Sequence, residues 1–539
     1  MTEQQGGAGV NYVEEALELF AACGDKEAVV CGEQRLSYAE FRALVLRLAN
    51  TLGGFGVRPG AGVALLVRNK PESIALQLAL HLLGCRTVWI ATYASYREQA
   101  EFVERAGVEV LIYDTPRENR VIEELLRRAE PLQVLCVGPD GAGPDLLAAA
   151  ADAEPQFHRV PGTPEPSSLF YTGGTSGQAK LVHHEHRFFL ALLAAAGHYR
   201  SIGELGMRHL STTGFVHVSG QMPVLLALCE DGTVFLAEGV DLTSFLDTVK
   251  RERVSSVFIS PARLSELLDS GLLDAPETDT SSLRYLNTGG GPVSPTRLAQ
   301  AIEKFGPVVR PVYGLSEMPL VADQPFMVND PAHPQRLASV GRPFADARLE
   351  IRGEKGEVLP VGEVGEVCAA GALLMSGYWQ QPEESAEALV DGLLHTGDLG
   401  YLDEDGYLYL VDRKKDMIVT TVGAANVFTR PIEDVLAAHP QVREAAVVGA
   451  PDPGWGEVAY AFVVTEPGGE AADGLDQAAL VAELQARVEQ ELTEFHVPRT
   501  VEFVTELPRT PLDKVDKKAL RARFGLDPQR RTIAPLAPR

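Results

Sequence analysis

The first 345 residues alternate between short apolar runs and longer segments whose apolar side chains recur at helical spacing. The runs 62–70 (GVALLVRNK) and 108–114 (VEVLIYD) indicate buried strands, while 38–58 and 71–85 have the pattern of amphipathic helices, the second with Pro71 in its first turn. A helix between two strands is typical of parallel sheets, because such strands need a long crossover connection. This part of the chain is therefore predicted to be α/β.

After about residue 345 the pattern changes to short strands and tight turns, typical of hairpins, in 347–371 and 400–418. The last hundred or so residues mix two helical segments with two strand segments. We expect a large N-terminal domain, 1–412, with mixed and parallel sheets flanked by helices and a small β-barrel-like part. A small α+β C-terminal domain, 413–539, should follow.

Composition narrows the possible partners. The 539 residues are 45% hydrophobic and carry a formal net charge of -26, which disfavours nucleic acid and anionic membranes. A polyanionic small substrate would need a local positive site. Six scattered cysteines indicate reduced thiols, the N-terminus lacks a basic region followed by an apolar one, and no apolar run approaches the ~20 residues of a membrane helix. We expect a cytoplasmic protein without a membrane span.

The segment YTGGTSGQAKLVHHEHR, 171–187, places glycines, hydroxyls and a lysine between an apolar run and a helix-like stretch. Backbone N–H groups of such a loop, with the N-terminus of a following helix, can hold phosphate oxygens. The spacing is not the Walker pattern, so an ordinary surface loop stays open on this segment alone. The histidines 183, 184 and 186 indicate a polar helix start rather than a metal cluster.

Four further segments strengthen the phosphate interpretation: YLNTGGGPVSP with VYGLSEM, GEVGEVCAAGALLMSGYW, LHTGDLGYLDEDGYLYLVDRKKDMI and LPRTPLDKVDKKALR. Together with YTGGTSGQAK, and in this order along the chain, they resemble the adenylate-forming superfamily, in particular its acyl- and aryl-CoA ligases. The resemblance spans nearly the whole chain. It implies the large and small domains above, with the small domain mobile.

The resemblance also assigns site residues. The phosphate loop would clamp the β,γ-phosphates of ATP, a glycine segment and Tyr313 would hold adenine, Gly314 would open room for the acyl group, and Asp398 with Arg413 would bind the ribose. The positions implied for the nucleotide are Thr172, Gly173, Gly174, Thr175, Ser176, Gly177, Lys180, Gly289, Gly290, Gly291, Tyr313, Gly314, Leu315, Ser316, Asp398 and Arg413.

The same resemblance implies the catalytic groups. Ser176 and Glu317 would bind Mg²⁺, oxygen ligands that suit this cation. Lys514 would stabilise charge on the reacting carboxylate and α-phosphate, with Lys517 and Lys518 close by in sequence. His217 would line the acyl pocket, although a buried core histidine is the alternative. Lys415 would be the hinge about which the small domain turns.

The resemblance predicts activation of a carboxylic acid, aromatic or bulky, as an adenylate, followed by thioester formation with CoA. Among the departures from the family, Asp513 precedes Lys514 where glycine is usual. In the segment 420–435, Ala424 and Ala425 replace the usual glycine and glutamate, and Pro431 stands where a glutamate is usual. That segment leaves other acceptors open, namely a carrier-protein thiol, an amine, or an aryl amine after nitrite activation. A nucleotide-binding pseudoenzyme is the alternative outside catalysis.

Overall fold

The computed structural model describes residues 11–90, 96–115, 132–160, 162–172, 180–201, 206–237, 239–324, 333–419, 426–452, 455–465, 477–510 and 513–524. The α-helices of these ranges are α1 (Tyr12–Cys23), α2 (Tyr38–Gly54), α3 (Pro71–Leu82), α4 (Tyr96–Arg105), α5 (Leu146–Ala151), α6 (His186–Ser201), α7 (Val218–Cys229), α8 (Leu242–Arg251), α9 (Pro261–Asp269), α10 (Pro295–Phe305), α11 (Pro382–Ala388), α12 (Thr429–Ala437), α13 (Gln477–Glu491) and α14 (Lys517–Ala522).

A nine-stranded sheet, here the first sheet, has the order β15-β14-β13-β12-β11-β9-β10-β1-β2. Its strands are β1 (Glu27–Cys31), β2 (Gln34–Ser37), β9 (Arg208–Ser211), β10 (Thr233–Leu236), β11 (Ser256–Ile259), β12 (Tyr285–Gly289), β13 (Val309–Leu315), β14 (Met318–Asp323) and β15 (Arg342–Pro343). Across the sheet, the six neighbouring strands from β13 to β1 are parallel. The antiparallel strands are β2 at one edge and β14 and β15 at the other. The carboxyl ends of β9, β11, β12 and β13 therefore meet along one edge, where open α/β sheets bind ligands.

A seven-stranded sheet, here the second sheet, has the order β18-β8-β7-β4-β3-β5-β6. Its strands are β3 (Gly62–Leu66), β4 (Arg86–Trp89), β5 (Val110–Asp114), β6 (Gln133–Val137), β7 (Ser167–Thr172), β8 (Lys180–Glu185) and β18 (Gly377–Tyr378). The five strands from β7 to β6 are parallel, and β8 and β18 are antiparallel additions. The strands predicted in 62–70 and 108–114 and the helices predicted in 38–58 and 71–85 are confirmed.

The hairpin-rich region forms a five-stranded antiparallel sheet of β16 (Arg348–Arg352), β17 (Gly365–Ala370), β19 (Leu389–Val390), β20 (Leu393–Leu402) and β21 (Leu408–Arg413). The C-terminal region follows with the short pair β22 (Ile418–Val419) and β23 (Asn426–Val427), and then β24 (Val442–Asp452), β25 (Gly456–Thr465) and β26 (Thr500–Phe503). Helices α12 and α13 pack on that last sheet through a separate apolar core. This is the expected α+β unit.

The main core lies where α1, α2, α3, α6 and α7 pack against the two large sheets. Local chemistry begins these helices where the sequence expects. Ser37 caps α2 and forms a capping box with Glu40, and Pro71 occupies the first turn of α3. Throughout the described ranges, none of the helices is at once long and apolar enough to cross a bilayer.

One local prediction is wrong. The glycine-rich segment does not lead from a strand into a helix, because β7 and β8 are antiparallel partners with Thr172 opposite Lys180. His183 and His184 lie in strand β8, and α6 begins only at His186. The loop therefore has no helix N-terminus directly after it. Strand β8 is hard to recognise in the sequence because it carries polar residues and because a strongly helical stretch follows it.

Candidate active site

Strands β12 and β13 deliver the glycine segment and Tyr313 to the carboxyl edge of the first sheet. Gly290 has a φ of 81°, a backbone conformation that favours glycine, and it lies directly after β12. A side chain at Gly289 would meet the carbonyl oxygen of Val312 at 2.6 Å, because β12 and β13 pack closely there. Gly291 is less constrained, since an added Cβ would lie 3.6 Å from Pro261.

Asp398 and Arg413 face each other as register partners on β20 and β21. Arg413 Nε lies 2.7 Å from Asp398 Oδ1, and the hydroxyl of Tyr313 donates to Asp398 Oδ2 over 2.7 Å. Burial and the nearby Asp398 raise the pKa of Tyr313, so its hydroxyl remains a donor. Asp398 is 5% exposed, and two donors from different elements fix the position of its side chain.

Lys514 projects from the small domain into the cleft beside this group. Its Cε is 3.8 Å from the position that a Cβ at Gly290 would occupy. Burial by the surrounding protein and the positive charge of Arg413 lower the pKa of Lys514. The negative charges of Asp398 and Glu317 act in the opposite direction. The side chain stays accessible to solvent within the cleft. One cleft therefore contains Lys514, Arg413, Asp398 and Glu317.

The neighbouring lysines have other environments. Lys517 is an ion-pair partner of Glu433 at 2.7 Å and donates to Thr429 Oγ1 over 2.7 Å inside the small domain. Lys518 is exposed. Lys415 lies in the turn after β21, and burial lowers its pKa. The hinge role of Lys415 and the limits 1–412 and 413–539 stay predictions.

The phosphate side of the site is described from its two ends. Residues 173–179 of the predicted loop, including Gly173, Gly174, Thr175, Ser176 and Gly177, lie outside the described residues. Thr172 and Lys180 close the loop as a strand pair, and the ammonium of Lys180 lies 4.2 Å from the ring centroid of Tyr378. The Tyr378 hydroxyl donates to Glu317 Oε1 over 2.8 Å. Tyr378 therefore bridges two residues that the sequence assigned separately.

Two hydrogen bonds to backbone carbonyl groups hold the turn that carries Leu315, Ser316 and Glu317. His184 Nε2 donates to the carbonyl of Ser316 over 2.8 Å, and the amide of Met375 donates to the carbonyl of Glu317 over 2.8 Å. Burial lowers the pKa of His184 to about 3, so the ring is neutral. The sequence does not identify His184 or Tyr378 as supporting residues. Only their position next to the phosphate segment and in the SGYW motif could have suggested them.

His217 lies at the start of α7, after a loop at the carboxyl end of β9. Burial and the charge of Lys514 lower its pKa to about 4, which places the ring near that lysine. Asn69 holds the preceding loop: it donates to the carbonyl of Thr213 over 2.8 Å and accepts from the amide of Phe215 over 2.9 Å. Asn69 follows β3 of the second sheet, so it ties the two sheets together beside His217.

The geometry corrects the interpretation of Gly314. A Cβ there would lie 2.0 Å from the carbonyl oxygen of Pro319, on the adjacent strand β14. The absence of a side chain at Gly314 thus lets the two strands approach closely. A side chain there would point at the backbone of β14 rather than into open space. The hairpin between β13 and β14 explains why glycine is needed here.

A cleft with this fold and these residues belongs to a recognisable class. The AMP-binding enzyme family matches residues 18–379, and the AMP-binding enzyme C-terminal domain matches residues 431–514. The chain belongs to the AMP-binding enzyme family. The expected superfamily, the fold and the ligase class of enzyme are confirmed.

Individual relatives differ in what they are named for. The chain is 35% identical over 509 residues to the medium/long-chain-fatty-acid–CoA ligase FadD8 of Mycobacterium tuberculosis (strain ATCC 25618 / H37Rv), covering 93% of this chain and 88% of that one. It is also 35% identical to a feruloyl-CoA synthase from Amycolatopsis sp, covering 92% and 96%. Among solved structures, the amide bond synthetase McbA from Marinactinospora thermotolerans has a TM-score of 0.84 at 35% identity, covering 95% and 100%.

Proposed function

We propose that the protein activates a carboxylic acid with ATP, releases pyrophosphate, and transfers the acyl group from the adenylate to CoA with release of AMP. The observation that carries the proposal is the convergence of Lys514 with Asp398 and Arg413 in one cleft. The net charge of the chain is -26, so local cations are needed before two anionic reactants can meet. Lys180, Arg413 and Lys514 are such cations.

In the first step a carboxylate oxygen of the acid attacks the α-phosphorus of ATP, and the bond to the β-phosphate breaks. Lys514 would neutralise the negative charge that develops between the carboxylate and the α-phosphate. Asp398, fixed by Tyr313 and Arg413, would accept hydrogen bonds from the ribose hydroxyls. Gly290 would allow the backbone to approach the base. In the second step the CoA thiol sulfur attacks the acyl carbon, and AMP leaves.

Glu317 is suited to be a ligand of Mg²⁺, since it offers a hard carboxylate oxygen and Tyr378 holds its side chain in place. No group of three or more His, Cys, Asp or Glu side chains gathers for a metal in the described part of the chain. This fits a cation bound by one protein acid and by phosphate oxygens, with Ser176 as the proposed second protein ligand. The bound cation would neutralise phosphate charge.

For the acid we propose an aromatic or bulky carboxylate. His217 lies near Lys514, where the acyl part would extend, and Asn69 holds the loop that precedes His217. The feruloyl-CoA synthase, at 35% identity, supports an aryl acid, while FadD8 at the same identity keeps a medium or long aliphatic chain as an outcome of the test.

A second candidate keeps the adenylate and replaces CoA by an amine. The 35% identity to the amide bond synthetase McbA favours it, as does the altered segment 420–435. A carrier-protein thiol, or an aryl amine after nitrite activation, would be further acceptors of the same adenylate.

The test measures AMP released from ATP by the purified protein with a panel of aliphatic and aryl acids. Each acid is assayed alone, with CoA, and with a primary amine, alongside nitrite with amino-aryl acids. AMP release that requires both an acid and CoA, with the thioester detected by mass, supports the first proposal. Turnover with an amine and no response to CoA would replace it by the second.

A further inference from the structure

Asp513 stands directly before Lys514, at the position where the resembled family has glycine. Its φ is 60°, a left-handed conformation that glycine adopts without strain and that aspartate tolerates better than most residues. The backbone shape of the lysine loop therefore accounts for a glycine at this position but not for an aspartate. The aspartate side chain must be explained by what it contacts.

Asp513 Oδ2 accepts a hydrogen bond from Ser260 Oγ over 3.0 Å. Ser260 directly follows β11 of the first sheet and is the N-cap of α9, where its oxygen accepts from the amide of Arg263. The next residue, Pro261, is the neighbour of Gly291. The bond thus joins the lysine loop to the large domain beside the glycine segment of the candidate site.

The loop is also braced within the small domain, where the Asp513 carboxylate itself pairs with Arg509: its Oδ1 lies 3.7 Å from Arg509 Nε. Arg509 Nη1 donates to the carbonyl of Asp513 over 3.1 Å and Arg509 is ion-paired with Glu444 at 2.8 Å. The amide of Thr510 donates to the carbonyl of Lys514 over 2.7 Å. Because Lys514 is the next residue along the chain, an anchor at Asp513 restricts the position of Lys514 as well.

We propose that Asp513 is a positioning residue. Its hydrogen bond with Ser260, here called the clasp, holds Lys514 beside Gly290 in the arrangement for adenylate formation. This rests on the proposed function, in which Lys514 acts in the first step. Since donor and acceptor belong to different domains, the bond exists only while the lysine loop lies in the cleft. It therefore favours that arrangement over any in which Lys514 has withdrawn.

The test uses Asp513→Gly, which keeps the left-handed backbone and removes the acceptor, and Asp513→Asn, which keeps both the backbone preference and an acceptor oxygen. The first step is followed by ATP–pyrophosphate exchange and the second by consumption of preformed adenylate. We expect Asp513→Gly to slow exchange about two- to ten-fold, the range for one hydrogen bond. The second step should not slow, and Asp513→Asn should retain most of the exchange rate.

A change on the other domain separates the clasp from local flexibility. Ser260→Asp keeps a good N-cap for α9 but sets a carboxylate against Asp513, so exchange should fall. The pair Ser260→Asp with Asp513→Asn should recover it, because the new amide can donate to the new carboxylate. Equal loss of both steps in Asp513→Gly, or absence of recovery in the pair, would overturn the proposal.

A measurement without substrates distinguishes failure of the clasp from failure of the proposed function. Tryptic cleavage after Lys514 should be faster in Ser260→Asp than in the unaltered protein. In the double variant Ser260→Asp with Asp513→Asn, cleavage should be slower than in Ser260→Asp alone. Ser260 lies far from Lys514 in sequence, so only a contact across the domains transmits the effect. Identical cleavage in all three proteins would refute the clasp even where no acid supports exchange.

Discussion

The lysines of the C-terminal segment show how much a single position decides. The sequence names three candidates within five residues, and the structure separates them: Lys514 lies by Gly290, Lys517 is paired with Glu433, and Lys518 is exposed. Residue chemistry alone could not do this, because all three carry the same charge. What differs is their place in the fold, since Lys514 lies in the loop between β26 and α14, whereas Lys517 and Lys518 begin α14.

Lys514→Ala should abolish adenylate formation, because the ammonium that offsets the developing charge is lost, while preformed adenylate remains usable. Loss of one such group costs about 10²- to 10³-fold in comparable sites. ATP–pyrophosphate exchange measures the first step and consumption of added adenylate the second. Lys518→Ala is the matched control and should leave both rates unchanged. If both steps fell equally in Lys514→Ala, Lys514 would not be the first-step lysine.

Tyr378 offers a second prediction at this scale. Tyr378→Phe keeps the ring beneath Lys180 but removes the hydrogen bond to Glu317, so Glu317 should be less well oriented. We expect exchange to fall about 10- to 100-fold, the effect of one hydrogen bond to a charged group, with more Mg²⁺ needed for the half-maximal rate. Tyr378→Leu, which loses both contacts, should fall further. An unchanged Mg²⁺ requirement in Tyr378→Phe would contradict the bridging role.

At the scale of elements, the apolar pattern was sufficient for α2, β3, α3 and β5, because each buries one continuous face or a complete run. It failed after the glycine-rich loop. Strand β8 buries Leu181, Val182 and His184, and its histidines concealed that pattern. A hairpin partner is a long-range property, and the neighbouring helical stretch outweighed it in the sequence. The helical stretch begins only at His186, after β8 has ended.

Gly314 tests the same distinction between local volume and packing of elements. In Gly314→Ala the new Cβ would meet the carbonyl oxygen of Pro319 at 2.0 Å, so β13 and β14 must separate. We expect the free energy of unfolding to drop by about 2 kcal/mol or more. Chemical denaturation measures it, with Gly291→Ala as control, because its Cβ would make an ordinary contact at 3.6 Å. A stable Gly314→Ala with a narrower range of acids would restore the pocket interpretation.

At the scale of the whole molecule, the net charge of -26 and the small group of cations in the cleft are two parts of one arrangement. Composition could predict that a local positive site was needed, and the resemblance could predict its members. Neither could predict that Asn69, His184 and Tyr378 support it, since each acts through contacts between residues far apart in sequence. Those contacts follow from how the two large sheets meet.

The buried residues His81, His184 and His209 and the half-buried His217, all in the large domain, make a prediction for the whole fold. Burial lowers the pKa of His81 and His184 to about 3, and of His209 and His217 to about 4. These rings stay neutral in the folded protein but become charged on unfolding below their ordinary pKa of 6.5. Their contribution to stability is therefore complete above pH 6.5 and is lost as the pH falls from there toward 4.

The free energy of unfolding should accordingly fall between pH 7.5 and pH 5.5, with a slope near pH 5.5 of about 1.4 kcal/mol per pH unit for each histidine. Urea denaturation at a series of pH values measures that slope. His209→Asn, which can keep a hydrogen bond to Ser256 Oγ, should make the slope shallower by the contribution of one histidine. The exposed His158→Asn serves as the control for removing a histidine. A slope that His209→Asn leaves unchanged would mean that His209 is not held neutral by the fold.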